Sequence, residues 1–182
     1  MVDLNGTFLA TYGSSGAPVP GSALPAIQWG FTQVGKPYAA INPYRFGDSS
    51  YGKPWACDDG SNPCTRVDMH GTSRTYPAGT FVYDCSGFVT AAWLRAGVDL
   101  VKLNAAWTDA MFDHLPKVDV ATARLGDIIL FNYSGGGDET NSRTDHAGMY
   151  LTATTMLQAG NSGVSVATID WKKVVAVVRP AG

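Results

Sequence analysis

Cys85, His146 and Gln158, far apart in the chain, are residue types that could perform covalent chemistry together. Cys85 sits in Tyr83-Asp84-Cys85-Ser86-Gly87-Phe88-Val89, and the apolar spacing of Phe88, Val89, Ala92, Trp93 and Ala96 predicts a helix running to Arg95 or Ala96. Asp84 can cap its first turn, and Gly97 stands where a helix end wants a residue tolerant of positive φ. The free amides and positive dipole end at such a helix start favour a thiolate, so the placement predicts a Cys85 pKa below that of an ordinary thiol. The competing reading is a small buried thiol that only fills space.

A thiolate nucleophile needs a base, and the base needs a group to orient it. Among the histidines, His146 begins a strand pattern, directly after a Gly/Asp/Asn-rich loop over 134–144. Its strand alternates His146, Gly148 and Tyr150 against Ala147, Met149 and Leu151. A three-residue hairpin loop, Thr152-Ala153-Thr154, would pair Leu151 with Thr155 and Gly148 with Gln158. Gln158 would then share a face with His146 and lie diagonally across from it. A two-residue loop would turn Gln158 to the other face, which makes loop length decisive; Asn161 is the next candidate orienter. A solvated strand-end histidine and a surface glutamine are the alternatives.

Residues 1–21 are small, polar and rich in Gly and Pro, and read as an arm or linker before a single domain over 22–182. Ser22 is the expected cap of a helix carrying Pro25 in its first turn and Ile27, Phe31 and Val34 on one face, stopped by Gly35 and Pro37. Residues 39–82 hold turn chemistry and little periodicity, and are long for a connection, so they read as a functional loop or ordered insertion. Within them Cys57 and Cys64 bound a tight loop. A disulfide, two free thiols, or a metal site with His70 are all open, although a structural zinc would want a fourth ligand that the sequence does not offer. Asn104 is the expected cap of a helix reaching about Leu115, with His114 in its last turn in a structural role. Leu125-Gly126-Asp127 is a turn into Ile128–Phe131, an apolar run that predicts a strand buried on both faces. Strands are expected at 146–151, 155–159, 163–167 and 174–178.

Composition narrows the function classes. The 182 residues carry a formal net charge of −2 with no basic cluster, which argues against nucleic acid as the main partner. No apolar run is long enough to span a membrane as a helix, and no metal or other cofactor is called for. Met1 to Gly6 lacks the basic start and apolar block of a signal peptide.

Three segments in order resemble the NlpC/P60 family of papain-like cysteine peptidases: Gly35-Lys36-Pro37-Tyr38; the Asp84-Cys85-Ser86-Gly87 core; and Gly126-Asp127-Ile128 leading to His146-Ala147-Gly148-Met149-Tyr150. The resemblance implies an α+β fold in which the nucleophile helix packs on a small antiparallel sheet. It implies Cys85 as nucleophile, His146 as base and Gln158 as the third polar residue, with Tyr38 lining the site near the oxyanion. Asp84 and Ser86 would help hold the substrate's free amine end. The implied activity is hydrolysis of an amide in peptidoglycan stem peptides, of the D-glutamyl-diaminopimelate type. An N-acetylmuramoyl-L-alanine amidase, or a non-catalytic wall-binding or phage tail module, are the alternatives. The chain departs from the family at Ala39-Ala40-Ile41, where an aromatic and a Gly-Gly pair usually follow, so that 39–82 could form a subsite or lid. The expectation is a monomer, or a module of a larger protein, reaching the cell wall by phage-type release, in a virion or within a secreted chain.

Overall fold

A computed structural model describes residues 22–38, 55–56, 64–67, 73–76, 81–134 and 143–180. The expected arm over 1–21, Cys57, His70 and most of the loop before His146 lie outside the described residues, as does the Cys64 side chain, so the cysteine pairing does too.

Among the described residues the α-helices are α1 (Leu24–Thr32), α2 (Cys85–Arg95) and α3 (Thr108–His114). Two short antiparallel pairs fall between α1 and α2. β1 (Trp55–Ala56) pairs with β4 (Phe81–Val82), and β2 (Cys64–Val67) pairs with β3 (Ser73–Tyr76). Their strands carry too few alternating residues to show as periodicity, which is why this stretch reads in sequence as turns alone.

The remaining strands are β5 (Lys117–Val118), β6 (Ile128–Phe131), β7 (His146–Thr152), β8 (Thr155–Gly160), β9 (Gly163–Thr168) and β10 (Val174–Val178). They form one antiparallel sheet in the order β5-β10-β6-β7-β8-β9. The strand beginnings match the sequence pattern at all four of the predicted final strands.

β6 explains its own unbroken hydrophobicity. Ile128 and Leu130 join the main core with α1 and α2, whereas Ile129 and Phe131 join a second cluster with Met156 and Ile169 on the far face. Both faces of this strand are covered, so no polar alternation survives.

Residues 85–93 of α2 are all buried, Ser86, Gly87 and Thr90 included. It is therefore a central helix, enclosed on nearly every side rather than along the one stripe the spacing suggests. It ends as the sequence predicts: Gly97 has φ +81°, its N–H donates to Leu94 O, and Val98 N–H donates to Trp93 O. Those two bonds satisfy carbonyls that the end of a helix leaves open.

Two helix starts differ from expectation. Ala23, not Ser22, holds the α1 cap position, and the Ser22 hydroxyl accepts from Leu24 N–H at 3.3 Å from one residue farther out. Val34 lies beyond the helix and is exposed; Gly30 takes the buried face instead. A Cβ at Gly30 would come 2.8 Å from Leu157, so the missing side chain lets α1 approach the sheet. Asn104 does not cap α3, for it sits in a turn at φ +53°, and Trp107 takes the cap position with no side-chain capping bond. Asn is among the few residues that tolerate this left-handed conformation, and its turn preference imitates a cap signal.

Candidate active site

The setting of Cys85 is built from three backbone attachments. Gly35 N–H donates to Val164 O and Val164 N–H donates to Lys36 O, which ties the Gly35-Lys36-Pro37-Tyr38 segment to β9. Gly163, at φ +83°, would place a Cβ 2.3 Å from Lys36 O, so only glycine allows the approach. Tyr83 N–H then donates to Pro37 O, and Tyr38 bridges Tyr83 in parallel. The Tyr38 backbone thus pairs with the residue two before Cys85, and its side chain is buried.

Asp84 performs the capping role read from sequence, accepting from Gly87 N–H at 2.5 Å, while the Ser86 hydroxyl donates to it at 3.4 Å. Cys85 is 7% exposed, and its sulfur faces the backbone amides of Ala147, Ser86 and Cys85 itself. Those amides and the dipole favour a thiolate, yet burial outweighs them and the Asp84 carboxylate adds to it: the Cys85 pKa is pushed up to about 12. The lowered pKa expected from a helix start is therefore overturned. Removal from water costs a thiolate more than one helix end returns.

His146 opens β7 opposite Phe131 of β6, and is 3% exposed. Its Nε2–H donates to Gln158 Oε1 at 2.5 Å. An amide oxygen can only accept, so this contact assigns the proton to Nε2 and leaves Nδ1 as the basic nitrogen. Nδ1 is buried and has no hydrogen-bond partner among the described residues. Burial lowers the His146 pKa, opposed by the Gln158 hydrogen bond and the Asp145 carboxylate. Thiol and imidazole are thus both neutral at rest near pH 7. The sulfur reaches β7 at the Ala147 amide, one residue from His146, and the Sγ–Nδ1 hydrogen bond itself is not formed here.

Gln158 reaches its place by a route the sequence does not show. The β7–β8 loop has two residues, not three, since Thr152 pairs with Thr155. A register shift between Tyr150 and Thr152 makes Leu151 an extra residue, and Gly148 still faces Gln158. The bulge restores the parity that a two-residue turn alone would reverse. Gly148 matters sterically as well: a Cβ there would sit 2.7 Å from Met156 Sδ and 3.4 Å from Gln158 Cβ.

Further contacts that sequence reasoning misses anchor the segments flanking His146 and its neighbouring strand. Asp109, in the first turn of α3, accepts from both the N–H and hydroxyl of Thr144 at 2.8 Å, and Thr108 donates to Thr144 O at 2.9 Å. The Gly-Asp turn into β6 owes its Asp to Arg179, whose Nε and Nη2 both donate to Asp127 at 2.8 Å. No spacing rule links residues 52 apart in the chain, and the Asp109–Thr144 pair is separated by 35, so neither contact has a local signal.

This arrangement can remove a proton from a thiol during its attack on a carbonyl, and return that proton to a leaving group. Among the described residues no helix is long and apolar enough to cross a membrane.

Comparison with known proteins bears on the family and the fold. The NlpC/P60 family profile matches residues 42–179. The probable endopeptidase p60 of Listeria grayi is 29% identical over 91 residues, which is 50% of this chain but 16% of that protein. The chain therefore spans about a sixth of the length of the curated relatives it matches. Among solved structures, RipD from Mycobacterium tuberculosis, a non-catalytic NlpC/p60 domain protein adapted to a peptidoglycan-binding function, is 25% identical with a TM-score of 0.54 over 86% of this chain and 95% of that one. The peptidoglycan hydrolase RipB from the same organism shares the fold, with 23% identity and a TM-score of 0.57 over 100% of this chain and 81% of that one. With the profile covering most of its length, the chain belongs to the NlpC/P60 family.

Proposed function

We propose that this chain is a cysteine hydrolase of peptidoglycan that cleaves an amide in the stem peptide, of the D-glutamyl-diaminopimelate type. The observation that carries this reading is the hydrogen bond from His146 Nε2 to Gln158, which leaves Nδ1 as the proton acceptor at the start of the strand whose Ala147 amide faces the Cys85 sulfur. Cys85 attacks as His146 takes its proton, an acyl-enzyme forms, and water activated by the same imidazole completes hydrolysis. The backbone amide of Cys85 serves as an oxyanion donor, Tyr38 lines that side, and Asp84 and Ser86 stand where an amine end of the substrate is held. Delivery to the wall by phage-type release, or as part of a virion or larger secreted protein, belongs to the same proposal.

The likeness to RipD supports a second reading, a wall-binding module without turnover. The two separate on purified peptidoglycan. Under the enzyme reading, new amino groups appear with wild type and vanish with Cys85→Ala, and fragment masses name the bond. Stem fragments mark an endopeptidase; intact free stems mark an amidase. Wall binding without release by either protein refutes the enzyme reading.

A further inference from the structure

Tyr133 lies two residues past β6 and is 41% exposed. Its ring stacks on that of Phe131, with centroids 5.3 Å apart and planes 12° apart. The same ring lies 5.8 Å from the His146 imidazole, and Phe131 itself lies 5.7 Å from it. Phe131 is fully buried, so Tyr133 is the outward end of an aromatic wall along one side of the base.

The backbone that carries this ring is anchored. Tyr133 N–H donates to both Asp145 carboxylate oxygens at 2.9 and 2.8 Å, and Ser134 N–H donates to one of them at 2.7 Å. Asp145 N–H in turn donates to Phe131 O at 2.8 Å. The residue next to His146 thereby fixes the position of Tyr133 relative to the imidazole. A half-exposed ring stacked on buried Phe131 above an anchored backbone offers a flat apolar face at little ordering cost when something docks on it.

Amide cleavage decides which half of a substrate meets such a face. The Cys85 sulfur bonds to the carbonyl carbon while its proton passes to His146 Nδ1. Collapse breaks the C–N bond, and that proton goes to the departing amine nitrogen. Water then attacks the thioester carbon, losing a proton through Nδ1; the C–S bond breaks and the thiol is restored. The acyl half stays with the sulfur, whereas the amine half must pass the groups flanking the imidazole. We propose that Tyr133 contacts the amine-side, leaving half of the substrate, its ring face packing on the aliphatic part of the residue that supplies the departing nitrogen. This rests on the hydrolase reading above and adds to it the determinant of one subsite.

The test uses two substrates with one acyl half, chosen as the half named by the fragment masses of wild-type digests: the natural amide, and a methyl ester whose leaving methanol offers nothing to pack. Tyr133→Ala is expected to lower kcat/KM for the amide about three- to tenfold, and to leave that for the ester within twofold. Tyr133→Phe keeps the ring and is expected to recover most of the loss. The rate of Cys85 alkylation by iodoacetamide against pH is expected to superimpose for wild type and Tyr133→Ala, which reports an intact fold and base. Equal losses on amide and ester, or a shifted alkylation profile, overturn the proposal, because Tyr133 would then act on the imidazole. Unchanged amide turnover in Tyr133→Ala also overturns it. An absence of wild-type turnover overturns the hydrolase reading and this inference together, a result distinct from the other two.

Discussion

Replacing Gln158 by Ala removes the acceptor for His146 Nε2–H and leaves a donor unpaired on a side chain that is 3% exposed. Orphaning a buried polar group costs about 1–3 kcal/mol. In the reaction the imidazole becomes imidazolium, with both ring N–H groups donating, so the lost partner counts for more in the transition state than at rest. If the whole penalty is expressed there, kcat/KM falls roughly 5- to 150-fold. The pH profile carries a second signature. Burial lowers the His146 pKa from 6.5, and the Gln158 hydrogen bond opposes that drop. Activity is lost as pH falls through the His146 pKa, since a protonated ring cannot accept the thiol proton. Gln158→Ala therefore moves the acid limb of kcat/KM to lower pH. Gln158→Glu places a carboxylate beside the ring and moves the limb to higher pH. The assay is release of the amine fragment from purified muropeptides between pH 4 and 8 (roughly, spanning the free imidazole value), with circular dichroism confirming the fold of each variant. Full activity and an unmoved acid limb in Gln158→Ala would refute the orienting role and hand the search to Asn161.

Two further outcomes follow from burial and backbone geometry. With Cys85 pushed up to about 12, its alkylation by iodoacetamide is expected to climb through the alkaline range with no plateau near neutrality, and a thiolate-like plateau below about pH 7 would show that the dipole prevails over burial. Gly126→Ala is expected to destabilise the domain by about 2–4 kcal/mol in urea unfolding, because φ is +86° and the new Cβ would lie 2.2 Å from Ala23 Cβ at the start of α1; an unchanged midpoint would mean that both the turn and α1 relax at no cost, and would refute the reasoning.

Most of the scaffold is legible in the order of residues. Strong local signals mark the α2 start at Asp84-Cys85, its Gly97 end, the doubly buried β6 and the final strands, because capping, positive φ and apolar runs are decided by neighbours in sequence. Where a local preference serves two purposes, sequence and fold part: Asn104 favours turns as well as caps, and Ser22 lies one residue outside the turn it is expected to cap. The pairs in 55–82 escape detection because strands of two and four residues show no usable alternation.

The sequence by itself determined which residue types could act and that Cys85 opens a helix, since these depend on side-chain chemistry and a few consecutive residues. Tertiary structure alone decided the protonation of the pair. The burial that raises the Cys85 pKa and lowers that of His146 comes from elements distant in the chain, and desolvation has no local signature. It also decided why Gln158 meets His146. Parity places the two on one face by assuming a loop that does not occur, and the bulge at Leu151, which no spacing rule announces, supplies the residue that keeps them together.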